Sequence, residues 1–202
     1  MLFKYDYWFF KSGLPKRICD DIVKYALSKK EVEGVTGTGD KSKSNNDKKI
    51  RNSDLVWLND RWIYNEIHPF IYKANKNAGW NFEWDWSESL QFTKYKLNQH
   101  YNWHQDAWDR PYEKKDSNFN GKIRKLSISI ILSDENDYEG GDFQIDFRHK
   151  LKDQENYIDT VKQIRPKGSI IVFPSYIWHK VTPVTSGIRY SLVNWVLGPP
   201  YK

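Results

Sequence analysis

Leu126-Ser127-Ile128-Ser129-Ile130-Ile131-Leu132 decides the fold class of this chain. Leu126, Ile128, Ile130 and Leu132 alternate with Ser127, Ser129 and Ile131, a period of two that sends successive side chains to opposite faces of a strand. The same period recurs on either side. Leu90, Phe92 and Lys94 alternate with Gln91, Thr93 and Tyr95, and Phe143, Ile145 and Phe147 alternate with Gln144 and Asp146. Gly168 to Pro174 is a short apolar run, and Ile188 to Leu197 is a further strand candidate. Toward the N-terminus the period changes to that of helices. Ile18, Cys19, Ile22, Val23, Ala26 and Leu27 mark the buried side of a helix over Pro15 to Lys30, with Pro15 suited to its first turn. Ile63, Ile67, Phe70, Ile71 and Ala74 mark a second over Asp60 to Ala78, capped by Asp60 and kinked or divided at Pro69. Two helices followed by about seven strands predict an α+β domain with a β-sandwich or jelly-roll core and helices buttressing one sheet. The length of 202 residues suits one domain over 1–202, with a helical part over about 1–88 and the strand-rich core over about 89–198.

A charged fraction of 29% and an aromatic fraction of 16% describe a folded domain rather than a disordered chain. The net charge of +6 favours entry of an anionic small molecule, and is compatible with an acidic partner without requiring one. A single cysteine, Cys19, excludes an intramolecular disulfide, which fits a reducing, cytoplasmic setting. No apolar stretch reaches the length of a membrane span, and the first residues do not read as a secretory signal. Gly34 to Arg51, with five basic and two acidic residues, reads as a mobile surface loop or a strip that meets a partner.

The chemistry sits in Tyr101-Asn102-Trp103-His104-Gln105-Asp106. On an extended segment positions i and i+2 face the same way, so His104 and Asp106 can reach one metal ion. His179, just beyond the apolar run, completes two imidazoles and a carboxylate, the donor set that holds non-haem iron on one face of an octahedron and leaves three positions open. A closed zinc site would call for four protein ligands, often thiolates, and Cys19 is the one thiol. Spacing alone leaves zinc and manganese open. Arg189, ten residues after His179, offers a planar fork that stays charged in a pocket and grips a carboxylate. Tyr95 is placed to donate its hydroxyl to the same group. Taken alone, Arg189 reads first as a salt-bridge residue, and Tyr95 reads equally well as an ordinary sheet aromatic.

Taken in order, these segments resemble the prolyl 4-hydroxylase-like branch of the 2-oxoglutarate/iron(II) dioxygenases. The matching stretches are Leu90 to Tyr95, Tyr101 to Asp106, Glu139-Gly140-Gly141-Asp142-Phe143, Pro166-Lys167-Gly168-Ser169, and His179 through Trp195. The resemblance spans about half the chain, Ser89 to Gly198. It implies a double-stranded β-helix, a jelly-roll variant with the metal near one open end. It also implies Fe(II) on His104, Asp106 and His179, with Arg189 and Tyr95 on the distal carboxylate of 2-oxoglutarate and Trp195 beside the co-substrate. Ascorbate as reductant belongs to the same implied chemistry, in which 2-oxoglutarate and O2 are consumed, succinate and CO2 are released and a C–H bond is hydroxylated. Ser191 and Asn194 are pocket candidates on the same strand, and Gly140-Gly141 is a turn with no catalytic role.

The leading substrate class is a peptidyl proline, with Trp103, Trp108 and Trp178 as candidate aromatic walls and Ala107 to Lys122 as a candidate lid. A free amino acid or small metabolite is the alternative, since fold does not fix substrate. Nucleic acid is disfavoured, because relatives that demethylate bases carry a second Arg where this chain has Trp195. A jelly-roll binding module without turnover is the non-enzymatic reading, and the intact set of His104, Asp106, His179 and Arg189 argues against it.

Overall fold

The structure, a computed structural model, describes residues 3–34, 48–108, 110–115, 117–147 and 157–201. In chain order the strands are β1 (Trp8–Phe10), β2 (Val32–Glu33), β3 (Arg51–Asn52), β4 (Asp54–Leu58), β5 (Trp86–Ser87), β6 (Leu90–Tyr95), β7 (His100–His104) and β8 (Ile123–Ile131). They continue as β9 (Tyr138–Gly140), β10 (Phe143–Asp146), β11 (Ile158–Thr160), β12 (Ile170–Pro174), β13 (Trp178–Val181), β14 (Val184–Gly187) and β15 (Arg189–Gly198). Two helices, α1 (Lys16–Leu27) and α2 (Arg61–Asn77), fall among the early strands. The larger sheet runs β1-β12-β8-β15-β6-β4-β2, with β5 paired to the end of β15. The smaller runs β11-β10-β13-β7-β3, and β14 and β9 form a separate ribbon. This arrangement is the double-stranded β-helix expected from the sequence.

The alternation in β8 explains why there are two cores. Leu126, Ile128 and Ile130 face α1 and α2, where they join Ile22, Ile63, Ile67, Phe92 and Leu192. The opposite face of the larger sheet meets the smaller sheet through Tyr95, Ile171 and Phe173, against Phe143, Ile145 and Val181. A half-buried strand would send its serines to water. Here Ser127 is fully buried and Ser129 nearly so, because the second face of β8 lies between the sheets. Their small volume leaves room there for a cavity.

Several expectations change. The N-terminal part is not only helical: β1 pairs with β12 and β4 with β6, so this part extends both edges of the larger sheet. These segments are too short to show a clear period. Asp60 sits at the N-cap of α2 but makes no capping bond; its carboxylate accepts from Tyr25 Oη at 2.8 Å, tying α1 to α2. Pro69 does not divide α2, which runs unbroken and is held to the sheet by Ile63, Ile67, Ile71 and Ala74. Of the basic stretch Gly34 to Arg51, residues 35–47 lie outside the described residues. Arg51 itself belongs to β3 and is buried, 6% exposed.

The buttressing role of α2 predicts that Ile67→Ala, at a fully buried position, lowers unfolding free energy by about 2–4 kcal/mol in urea denaturation. Exposed Asn65→Ala on the same helix should stay within about 0.5 kcal/mol of the parent.

Candidate metal and co-substrate site

Antiparallel pairing of β13 with β7 sets His179 directly across from His104. Their ring centroids lie 4.1 Å apart. Asp106 follows β7 as the chain turns, and its backbone N–H donates to the Ser175 carbonyl at 2.9 Å, with Ala107 N–H donating to the same oxygen at 2.8 Å. That clasp fixes the carboxylate between the two imidazoles. Asp106 Oδ1 is 3.8 Å from His104 Nε2, and Oδ2 is 3.5 Å from His179 Nε2. The three donor groups lie within 4.8 Å of one another, and among the described residues they are the one His/Cys/Asp/Glu cluster with that spacing.

Both imidazoles are oriented by their own strands. His104 Nδ1 bonds the Asn102 carbonyl at 2.7 Å, and His179 Nδ1 bonds the Ile177 carbonyl at 2.9 Å. Each Nδ1 then carries the proton, which leaves Nε2 as a lone pair directed at Asp106, the tautomer a metal requires. Burial and the neighbouring His179 push the His104 pKa down to about 3, so its ring is neutral at physiological pH. Burial alone would raise the Asp106 pKa, but its surroundings, Arg124 and the Ser127 hydroxyl among them, outweigh burial and lower it to about 2. Two imidazole nitrogens and one carboxylate fit a divalent cation.

The cavity beside these groups has a volume of about 40 Å³ and opens to solvent, a space on the scale of one or two water molecules. The larger sheet lines it with Gln91, Tyr95, Ser129, Phe173, Ser191 and Trp195, and the smaller sheet with Tyr101, Phe143 and the two histidines. A wider groove along Lys4 to Phe9 carries no such donor cluster and is not the chemical site.

Arg189 stands opposite Tyr95 in the β15–β6 register and is 1% exposed. Its Nη1 donates to Ser191 Oγ at 3.1 Å, while Nε and Nη2 have no hydrogen-bond partner among the described residues. The guanidinium lines a small cleft with Gly141 and Arg165 that adjoins the metal cavity and shares Phe143 with it. Buried donors of this kind demand an acceptor, and a carboxylate answers both. Burial raises the Tyr95 pKa, although Arg51 and Arg189 pull the other way, so its hydroxyl stays a donor. Gly141 has φ +60°, and a Cβ there would sit 2.7 Å from Arg189 Cδ; the bare backbone admits the arginine stem. Gly141 thus has a packing role toward Arg189 that its reading as a plain turn residue missed.

Trp195 lines the cavity as the sequence suggested, and its indole N–H is buried without a partner among the described residues. Ser191 also lines it. Asn194 does not: the strand alternation turns it toward the helices, where it bonds Ser87 Oγ and the Glu88 carbonyl. Trp103 lies outside the cavity lining under Lys180, and Trp108 donates to Tyr112 Oη. The expected lid, residues 107–122, is anchored in this structure: Tyr112 Oη donates to Glu88 Oε1 at 3.0 Å. Residues 109 and 116 of that stretch lie outside the described residues.

Sequence reasoning missed Glu88 and Arg124. Arg124 grips Glu88 with two bonds of 2.7 Å, donates to the Asp106 carbonyl at 3.2 Å and lies 4.1 Å from the centre of the Trp195 ring. Burial disfavours its charge, but Glu88 overcomes that and raises the pKa. Nothing in the local pattern around Lys122 to Lys125 separates this arginine from surface cations.

The buried donors make metal-free stability pH-dependent. An unfolded His takes up its proton near pH 6.5, whereas folded His104 resists until about 3. Stability therefore falls as pH drops from about 6.5 toward 3. Asp106 acts further down, because its depressed pKa contributes stability above the ordinary carboxylate value that is lost as pH falls through the folded one. Urea midpoints of the metal-free protein should hold level above about pH 6.5 and decline steadily from there to pH 5, and His104→Gln should flatten that decline. An equal slope in both proteins would refute the assignment.

Comparison with known proteins agrees with this geometry. Residues 90–197 match the family model described as the 2OG-Fe(II) oxygenase superfamily, 2OG being 2-oxoglutarate. A PKHD-type hydroxylase of Synechococcus sp. (strain CC9605) is 36% identical over 108 residues, 54% of this chain and 41% of that protein. The PKHD-type hydroxylase YbiX of Escherichia coli (strain K12 / DH10B) is 32% identical over 109 residues, 52% of this chain and 41% of that protein. The matched region is thus about two-fifths of these relatives' length. Among solved structures, a viral collagen prolyl hydroxylase from Paramecium Bursaria Chlorella virus-1 superposes with a TM-score of 0.65 at 19% identity, covering 96% of this chain and 97% of that one. A Pseudomonas putida prolyl-4-hydroxylase gives 0.64 at 15%, covering 96% and 92%. At these identities the superpositions establish the fold. With more than half of its length matched by the family model and two imidazoles and a carboxylate gathered inside that fold, the chain belongs to the 2OG-Fe(II) oxygenase superfamily.

Proposed function

We propose that this protein is a 2-oxoglutarate- and Fe(II)-dependent dioxygenase that hydroxylates a C–H bond, with a peptidyl proline as the substrate class. The observation that carries the reading is the convergence of His104, Asp106 and His179 beside a buried guanidinium with two unpartnered nitrogens. In this reading His104, Asp106 and His179 hold the iron. Arg189 and Tyr95 hold the distal carboxylate of 2-oxoglutarate, and Trp195 walls the pocket. Bound iron with 2-oxoglutarate and O2 supplies oxidative decarboxylation, yielding succinate and CO2, coupled to hydroxylation of the substrate.

The chain's own residues do the rest. Asn102 and Ile177 carbonyls keep both imidazoles in the metal-binding tautomer. Phe143, Phe173 and Val181 keep water from the donors. Arg189 fixes one end of the co-substrate so that its other end meets the metal. Trp57, half exposed, tilts against Trp195 at 6.4 Å and adds aromatic surface near the cavity, which suits the flat ring of a proline. The peptide substrate is further supported by the PKHD-type hydroxylases in sequence and by the prolyl hydroxylases that share the fold, one of them from Trichoplax adhaerens in complex with a peptide fragment. A free amino acid or small metabolite is the alternative substrate. Ascorbate would serve as reductant.

We further assign 1–202 to one oxygenase domain, supported by β1 and β4 pairing directly with β12 and β6. Among the described residues no helix is long and apolar enough to cross a membrane. The buried, unpaired Cys19 supports a cytoplasmic setting.

Succinate formation that requires Fe(II), 2-oxoglutarate and a proline-bearing peptide tests the reading. Arg189→Ala should raise the apparent KM for 2-oxoglutarate by about 10- to 100-fold, the loss of one charged hydrogen-bonding partner, and leave iron binding nearly intact. Unchanged co-substrate kinetics would contradict the role given to Arg189. Absence of turnover across peptide and metabolite panels would contradict the enzymatic reading.

A further inference from the structure

Arg51, like Arg189, is a buried cation beside a serine hydroxyl and a tyrosine ring. It is 6% exposed, and its Nε donates to Ser53 Oγ at 3.0 Å. Its Nη2 is buried and bonds no described residue. Arg124, by contrast, is held by the Glu88 carboxylate. A guanidinium removed from water is costly unless something compensates it. What Arg51 meets is a ring face: its Cζ lies 4.5 Å from the centroid of Tyr101, its direct partner in the β3–β7 register. Tyr101 in turn lies against His104, with centroids 3.5 Å apart and planes only 11° from parallel. Guanidinium, phenol and imidazole thus follow one another from the edge of the smaller sheet to the metal-ligating nitrogen.

We infer that Arg51 is a positioning residue for His104, acting through the ring of Tyr101. The inference rests on the metal-binding role proposed above for His104. The bond from His104 Nδ1 to the Asn102 carbonyl fixes which nitrogen faces the metal, but one hydrogen bond leaves the ring free to rock about it. A parallel neighbour fixes the plane. Tyr101 can do this only if it is itself held flat, and a planar cation over its other contacts is suited to that task. Ser53, 1% exposed, holds the guanidinium from the side. The backbone at Gly34 leaves space for the pair, since a Cβ there would lie 3.0 Å from Arg51 Nε and 2.5 Å from Ser53 Oγ.

Charge and plane have opposite effects on metal affinity. Removing a positive charge near a divalent cation strengthens binding, whereas loosening a ligand weakens it. Arg51→Lys keeps the charge and removes the plane, so it isolates the positioning effect. The experiment is titration of the metal-free protein with Co(II), reading the dissociation constant and the ligand-field spectrum. Tyr101→Phe, which keeps the ring, should match the parent. Arg51→Lys and Tyr101→Leu should each bind Co(II) about 10-fold more weakly with altered ligand-field bands, the scale set by residues that orient metal ligands. Arg51→Lys combined with Tyr101→Leu should be no weaker than Tyr101→Leu alone, because Arg51 acts through the ring that is already gone.

Parent-like affinity and spectrum in Arg51→Lys would overturn the inference, as would additive losses in the double variant. A raised KM for 2-oxoglutarate with unchanged Co(II) binding would do the same, by showing that Arg51 meets a ligand directly. If Arg51→Lys fails to fold, Ser53→Ala carries the test: about threefold weaker Co(II) binding supports the inference and unchanged binding overturns it. His179→Ala separates the two levels. If it binds Co(II) as tightly as the parent, the metal site itself is wrong and the positioning role falls with it. If it loses Co(II) while Arg51→Lys does not, only the positioning role falls.

Discussion

The structure depends on one cross-strand register. Pairing β13 with β7 puts His179 opposite His104, and a slip of one residue in either strand would turn that strand's ring to the other face of the smaller sheet. The same sheet then leaves Asp106 to be set by the double clasp of Ser175 on the Asp106 and Ala107 N–H groups. Two strands and one turn therefore fix three donors before any metal arrives. The strands are short, so the register is specified by what flanks them. Ile145 and Val181 fill the space between the sheets, and Phe143 and Phe173 lie within 5.5 Å of the His179 ring, closing it against rotation.

Concentrating two imidazoles and a carboxylate in a place shielded from water is unfavourable for the protein alone. The depressed His104 pKa measures part of that cost, since the ring gives up its proton rather than carry charge there. The surroundings use three guanidiniums in different ways. Arg124 is neutralised by Glu88 and ties the Asp106 carbonyl to the Trp195 wall. Arg189 keeps two donors without acceptors, as expected of a group waiting for a carboxylate. Arg51 meets an aromatic face. Fold stability and the layout of the site are therefore coupled: the larger sheet carries the Arg189 guanidinium, the smaller sheet carries the two histidines, and the serines of β8 keep space between them.

The strands of the core and the donor set were legible in the sequence because both obey a simple period. Alternation in Leu90 to Tyr95 and Leu126 to Leu132 marks strands, and i, i+2 spacing puts His104 and Asp106 together. The helices were legible too, apart from Asp60, whose carboxylate went to Tyr25 instead of the helix end, and Pro69, which does not divide α2. What escaped depends on contacts between distant segments. Arg51 read as the end of a charged loop because five basic residues in eighteen mask the one that folds inward. Glu88 and Arg124 are 36 residues apart and meet only once β5, β8 and β15 lie side by side. Asn194 was misjudged for the opposite reason: it shares a strand with Trp195, and a strand sends adjacent residues to opposite faces.

Anaerobic absorption spectroscopy tests the central claim most directly. A 2-oxo acid that chelates ferrous iron through its carboxylate and keto oxygens gives a visible metal-to-ligand charge-transfer band. The account predicts that band when 2-oxoglutarate is added to protein loaded with one equivalent of Fe(II), its loss in His179→Ala, and its return only at higher 2-oxoglutarate in Arg189→Ala. A band that persists unchanged in His179→Ala, or no band in the parent protein at any co-substrate concentration, would contradict it.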